Sequence, residues 1–428
     1  MLAMIGGKSK PMAGSYMSAS EVAEELGISL PTLYSYVSRG LLRSEFADPG
    51  KRTRRYHAED VQRLKARQEM RRDPQKVVDT ALHWGTPMLS SALTLIEGGR
   101  LYYRGQEVLE LARTHSVEQV AALFWTGDAQ KADLLFASPL PPLPPHLQAV
   151  ETLLREEVTP VERCQALLPL LAHEDLAAYD FRPEPMALTG ARILRRMTLL
   201  ATGQSHFLQG EGIAAMLQRV LIPHQSQAQR LFTAALILCA DHELNVSSFT
   251  ARCVASAGAT PYGVVGGGLA ALQGGKHGGV SARVEALFQE TGSPQQAHNT
   301  IAQRIRRGER VPGFGHPLYP EGDPRGRLLL ELVGAAFPRS PGVALAKALM
   351  EAARSAALEP PNIDFALATL CVALELPSGT ALLLFALGRT IGWLGHALEE
   401  VQADQLIRPR AHYIGILPLT EPARKDLE

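Results

Sequence analysis

Through most of the chain apolar residues either recur at i, i+3, i+4 spacing or run on almost unbroken, and both patterns predict helix. The clearest segments are 145–156, 226–245, 343–358 and 379–401. Several are apolar nearly all round, which predicts helices packed inside a large helical body. Strand patterns are scarce. The best is 92–103, where Gly98-Gly99 separates two short apolar runs as a hairpin turn would. Three stretches punctuate the pattern. A charged run in 70–75 ends at Asp73-Pro74, and glycine- and proline-rich loops fill 307–325. Between them, 138–145 (SPLPPLPP) cannot be regular helix and predicts an extended surface connection. The body is mainly α.

Residues 17–72 stand apart. Ser18 or Ser20 can cap a short helix with Val22, Ala23 and Leu26 on one face, ended by Gly27. Ser29 can cap a second, with Pro31 in its first turn and Leu33, Tyr34 and Val37 following. Two short helices joined by a glycine-containing turn predict a helix-turn-helix. Between Arg39 and Arg72 eleven Lys/Arg meet five Asp/Glu, in a chain whose totals balance at 43 and 43. Overall charge gives no reason to expect a polyanionic or membrane partner, but this patch fits phosphate contact. SASEVAEELGISLPTLYSYVSRGLL followed by RRYHAEDVQRL resembles the winged helix-turn-helix of MerR-type regulators. The resemblance implies that Leu30 to Val37 enter a DNA major groove, with Thr32, Tyr34 and Ser35 as contact residues. It places Arg54 and Arg55 on a wing against the backbone. The alternative is a docking or dimerisation module that kept the fold.

With 428 residues, 46% hydrophobic and 20% charged, the chain can bury the cores of two or three domains. Cys164, Cys239, Cys253 and Cys371 lie far apart, without the paired spacing of zinc or redox sites, which predicts reduced thiols. The longest apolar stretch, 365–388, is split by Glu375 and Pro377-Ser378-Gly379 into pieces too short to span a bilayer. The first residues lack the basic start and apolar run of a signal peptide. A cytoplasmic protein with no metal site and no membrane partner is expected.

Four polar clusters interrupt the apolar helices: Asp241-His242-Glu243-Leu244-Asn245, Gly274-Gly275-Lys276-His277-Gly278-Gly279, Gly313-Phe314-Gly315-His316 with Asp323-Pro324-Arg325, and Pro361-Asn362-Ile363-Asp364. Glycines around His277 and His316 would let backbone and a ligand approach closely. Asp364, taken alone, reads as a helix N-cap. Arg389 lies inside an apolar helix, which fits poorly with a surface salt bridge.

In order, DHELNVSSFTARCVAS, GGKHGG, PGFGHPLY with DPR, PNIDFA, LFALGRTIGWLGHALEE and IRPRAHYIG resemble the motifs of citrate synthases. The resemblance runs from about Trp84 to Gly415. It implies a citrate-synthase-like fold of large and small helical domains: 73–284 with 375–428, and 285–374, behind the helix-turn-helix of 17–72. The chemistry it implies is removal of a weakly acidic proton beside a thioester, with a donor stabilising the enolate oxygen. Asp364 would be the base and His277 that donor, while His316 would polarise the keto group of a 2-oxo acid. His242, Arg325, Arg389 and Arg408 would hold the oxo acid's carboxylates. Arg408 would reach a neighbouring subunit, implying a homodimer with shared sites. Arg310, Val311, Pro312, Gly313 and Phe314 would contact acyl-CoA, a substrate rather than a permanently bound cofactor.

This sequence departs from the family in two places. Val280-Ser281 stands where Ala-Asn is usual, and Pro317 and Pro320 replace basic residues near the coenzyme A phosphates. Arg304, Arg306, Arg307, Arg310 or Arg327 could compensate. Three functions therefore stay open. The first condenses acetyl-CoA with oxaloacetate and water into citrate and CoA. The second is a 2-methylcitrate synthase, a related condensing enzyme or a citryl-CoA lyase. The third is a DNA-binding regulator whose synthase-like body senses a CoA ester or oxo acid.

Overall fold

The computed structural model describes residues 16–46 except 40, 54–65 except 59, 62 and 63, and 89–416 except 412. The 70–75 run and the 72/73 boundary lie outside the described residues. The chain forms two compact units, 1–90 and 91–428.

In the first unit, strand β1 (Tyr16–Ser18) leads into α1 (Ala19–Leu26). Ser18, not Ser20, is the cap: its hydroxyl accepts the Glu21 N–H at 3.3 Å, and the Glu21 carboxylate takes the Ser18 N–H at 2.7 Å. Gly27, at φ 60°, ends the helix in the left-handed conformation. Ser29 caps α2 (Leu30–Ser38), with Pro31 in its first turn. Strands β2 (Ser44–Phe46) and β3 (Arg54–His57) complete an antiparallel sheet ordered β1-β3-β2. Val22, Leu26, Leu33, Leu42, Tyr56 and Val61 make its core.

The second unit opens on the predicted hairpin, β4 (Thr94–Glu97) and β5 (Arg100–Tyr103), with β6 (Gln106–Glu107) alongside. Gly98 and Gly99 both take positive φ, the two-residue turn that matches strand twist. Helices follow: α3 (Val108–Thr114), α4 (Val117–Thr126), α5 (Ala132–Phe136), α6 (Pro145–Leu154), α7 (Pro160–Glu174), α8 (Pro183–Thr202), α9 (Ile213–Leu221) and α10 (Ala228–Leu238). After them come α11 (Val246–Ser256), α12 (Pro261–Leu272), α13 (Gly279–Thr291), α14 (Ala297–Arg306), α15 (Pro324–Ala336), α16 (Pro341–Ser355), α17 (Ile363–Ala373) and α18 (Thr380–Ala403). The segment expected as one helix over 226–245 stops at Leu238, because Asn245 turns back to cap α11 and the polar residues before it favour a turn. The proline-rich connection is extended, its Ser138 and Pro141 carbonyls each held at 2.6 Å by Arg195 and Arg196 of α8.

Helix α18 is long and apolar enough to cross a bilayer, yet 94% of its apolar window is buried inside the protein, so it is a core helix. Gly268 of α12 lies against it: a Cβ there would meet the Trp393 ring at 2.5 Å. Gly268 thus serves helix packing. This unit has a large core, running from Leu93 to Leu398, and a smaller one around Val284, Leu287, Phe288, Ile301 and Leu349. Helix α17 serves both. Ile363, Ala366, Leu367 and Leu370 face the large core, and Phe365 and Ala368 the small one.

Candidate active site

Each polar cluster is held by a local device. After α10, the buried Asp241 accepts from Thr94 Oγ1 at 2.6 Å and Ser248 Oγ at 3.2 Å, and pairs with His396 at 3.3 Å. The Tyr103 hydroxyl donates to the Asp241 carbonyl at 3.0 Å and accepts its N–H at 3.1 Å. That fixes His242, whose Nε2 lies 2.9 Å from the Tyr319 hydroxyl and whose ring stands 5.0 Å from His316.

His277 sits in the turn between α12 and α13. Its Nε2 is 2.8 Å from Ser247 Oγ, which also accepts the Trp393 indole N–H at 3.1 Å. The Asn245 side-chain oxygen Oδ1 takes the N–H groups of Ser247 and Ser248 and, at 2.8 Å, the Ser247 hydroxyl proton. Ser247 Oγ thus links His277, Asn245 and Trp393 in one buried network. Of the flanking glycines two are packed, a Cβ on Gly278 striking Leu272 and one on Gly279 the Gln273 and Gly274 carbonyls, while Gly275 has open space around it.

The His316 loop and the Asp364 turn are joined directly. Gly315 N–H donates to Pro360 O at 2.9 Å, Asn362 N–H to Gly313 O at 2.9 Å, and the Asn362 side-chain amide to Gly315 O at 3.0 Å. Gly313 and Gly315 need their positive φ values, 87° and 81°, to make this approach. His316 Nδ1 accepts the Leu318 N–H at 3.2 Å, so the neutral ring carries its proton on Nε2. Asn362 caps α17, accepting the N–H groups of Asp364 and Phe365. Asp364 is therefore not the cap, and its carboxylate accepts the Ser281 hydroxyl at 2.6 Å.

Two guanidinium groups complete the cluster. Arg325 forms a bidentate pair with Asp323, at 3.0 and 2.8 Å, and Asp323 also accepts the Ile363 N–H at 3.1 Å. Arg389, 1% exposed, donates through Nε to Cys239 O at 2.8 Å, and its Nη1 is buried with no partner. It is no surface ion pair. An orphaned buried guanidinium N–H is a costly feature that an anionic ligand would relieve.

Burial and then Arg325 hold His242 well below its usual range. Burial lowers His277 to about 4, helped by Arg389, and lowers His316 to about 4, helped by Arg325. Burial pushes the half-buried Asp364 up to about 6, against the Ser281 bond and the fields of Arg325 and Arg389. Near neutrality the cluster thus offers a carboxylate of unusual basicity, three uncharged imidazoles and two fixed cations.

Other predicted residues lie apart. Arg408 is exposed on the segment after α18, and no described hydrogen bond or ion pair joins it to the cluster. In the 310–314 segment Arg310 is exposed and Gly313 buried, while the Phe314 ring packs 4.9 Å from Phe365. Among the candidate compensating arginines, Arg304 and Arg307 are held by Glu290 and Glu309, and Arg327 bonds Glu321 O. In the first unit Tyr34 is 54% exposed, whereas Thr32 and Ser35 are half-buried. The wing arginines are held against the sheet: Arg54 bonds Ser44, and Arg55 lies 4.1 Å over Tyr16 and pairs with Glu45. Sequence reasoning missed the roles of Ser247, Ser281, Tyr319 and Asn362, all inside the quoted motifs or next to them.

A basic buried carboxylate, three neutral imidazoles and fixed cations suit acid–base chemistry beside an anionic ligand. Comparison with known proteins gives this class a family. Residues 81–410 match the family described as citrate synthase, C-terminal domain, and residues 16–69 match a helix-turn-helix domain. The chain is 29% identical to the citrate synthase of Haloferax volcanii, over 77% of this chain and 94% of that one. It is 27% identical to a 2-methylcitrate synthase of Mycobacterium tuberculosis, over 74% and 84%. Its fold matches the citrate synthase of Thermoplasma acidophilum, solved with carboxymethyl coenzyme A and oxaloacetate, at TM-score 0.68 and 23% identity, over 80% and 98%. The chain belongs to the citrate synthase family, enzymes that condense acetyl-CoA with oxaloacetate.

Proposed function

We propose that this enzyme forms citrate and CoA from acetyl-CoA, oxaloacetate and water, through the residues gathered around Asp364. Asp364 takes a proton from the acetyl methyl group while His277 donates a ring N–H to the thioester oxygen. The enolate carbon attacks the keto carbon of oxaloacetate, and His316 Nε2–H protonates the oxygen that becomes the new hydroxyl. Water then cleaves the citryl thioester, releasing CoA and citrate. Arg325, Arg389 and His242 hold the oxo acid. Arg408 joins them only from a second copy, which supports a homodimer with shared sites. The smaller core, drawn from Val284 to Ala368, would belong to a domain closing on the larger and excluding water. Four free cysteines suit a reducing compartment, so we place the enzyme in the cytoplasm.

The observation that carries this reading is the raised Asp364 carboxyl under Arg325 and Arg389, with two neutral imidazoles beside it. The test is CoA release by the full-length protein with oxaloacetate and either acetyl-CoA or propionyl-CoA. Faster turnover of acetyl-CoA is expected. A faster propionyl reaction would make it a 2-methylcitrate synthase, and no turnover with either would sink both readings. Since the base acts ionised, kcat/KM should fall about tenfold per unit as pH drops below about 6, with a plateau above. A pH-independent rate from 5 to 8 would exclude Asp364 as the titrating base.

A second reading rests on the helix-turn-helix match: the first unit binds DNA, with Tyr34 and the wing arginines Arg54 and Arg55 as contacts. Duplex affinity that falls steeply with salt, and less steeply for the Arg54→Ala, Arg55→Ala pair, is expected. Salt-independent retention of DNA, or none in 50 mM salt, would leave the unit a protein-docking module.

A further inference from the structure

We propose that Ser281 is a positioning residue: its hydroxyl holds one oxygen of the Asp364 carboxylate and leaves the other to take the substrate's proton. The inference rests on the reading of Asp364 as the base. Ser281 lies in the first turn of α13 and is fully buried. A helical serine commonly returns its proton to the carbonyl four residues back. This one instead crosses to another helix, donating to Asp364 Oδ1 at 2.6 Å over 83 residues of sequence. It is the one described side chain bonded to that carboxylate. Asn362 holds only the Asp364 backbone N–H, and Oδ2 has no described donor.

The other charged groups near the carboxylate act without touching it. Arg325 and Asp323 lie at the start of α15, and Arg389 lies on α18; the two cations favour the ionised form and Asp323 opposes it. His277 and His316 stand on their own turns, uncharged near neutrality. Glu285, further along α13, is committed to the start of α18 through Ser378 Oγ at 3.0 Å and Gly379 N–H at 2.8 Å. Through-space fields bear on both carboxylate oxygens. Only the Ser281 bond distinguishes them and fixes the carboxylate's rotation. A donor to the ionised form also lowers the proton affinity that burial raises.

The experiment is the pH profile of CoA release from pH 5 to 9 for the full-length protein and its variants. In Ser281→Ala the acid limb should move up by about one pH unit or more, costing about five-fold in kcat at pH 6. KM for oxaloacetate should change less than about two-fold, since binding does not use this bond. Ser281→Thr or Ser281→Asn, each keeping a donor, should return the limb toward wild type. If Ser281→Ala fails to fold, judged by its melting curve, Ser281→Cys with its weak donor gives the same readout. An unmoved limb in Ser281→Ala, or a loss equal at every pH that neither donor variant restores, would overturn the proposal. If Asp364→Asn is inactive in the same assay, that failure belongs to Ser281 alone. Full activity in Asp364→Asn would instead retire the base assignment.

Discussion

Asp364→Asn should lower kcat for CoA release by about 10³-fold while raising the melting temperature. A positioned general base contributes about 10²–10⁴-fold, and the amide cannot serve as one. The substitution keeps size and shape, and the amide oxygen can still accept from Ser281, so the cluster should survive. The stability gain follows from the raised carboxyl, whose usual value is 3.8 and which burial lifts to about 6. A carboxyl more basic in the folded state than in the unfolded one destabilises the fold once ionised. That penalty is absent below about 3.8, grows through the interval and is complete above about 6. It amounts to at most about 3 kcal/mol, which a neutral amide escapes. Melting curves should therefore separate at pH 7.5 and converge near pH 4. Retained turnover would end the base assignment, and a lower melting temperature at pH 7.5 would contradict the burial argument.

Gly392→Ala should destabilise the second unit by about 3 kcal/mol and weaken oxaloacetate binding. Glycines 388 and 392 are where α18 crosses the end of α10. A Cβ on Gly392 would lie inside contact distance of the Ala240 carbonyl and 2.7 Å from Asp241 Oδ1. The Gly392 N–H already donates to Ala240 O at 3.1 Å. Backbone cannot swing aside as a flexible side chain can, so the end of α10 must move, carrying His242 with it. The urea midpoint reads the first effect and the oxaloacetate KM the second. Gly334→Ala, on an open face of α15 with nothing near its added Cβ, is the control and should be neutral or mildly stabilising. Equal midpoints for the two variants would show that α18 tolerates the extra atom.

The chain's pattern exposed much of this in advance. The helical body, the Gly98-Gly99 hairpin, the capped helix pair of the first unit and the four polar clusters were all legible, because each depends on neighbours within one or two turns. Asn362 and Asp364 show where local reading stops. Either could cap α17, and the choice follows from a bond between Asn362 and Gly315, 47 residues away. Ser247 and Ser281 are common residues in ordinary helical positions. Only the folded chain puts one beside His277 and the other beside Asp364. Arg408 is the opposite case, a residue named by motif that one copy of the chain leaves outside the cluster.

The bonds between the His316 loop and the Asp364 turn bear on how such a protein can change over generations. The two strips of chain that carry the proposed acid and base are sewn to each other through Gly315, Asn362 and Gly313. Their spacing is thus a property of a small clasp rather than of the scaffold around it. Small shifts of helices that do not touch these bonds leave that spacing unchanged.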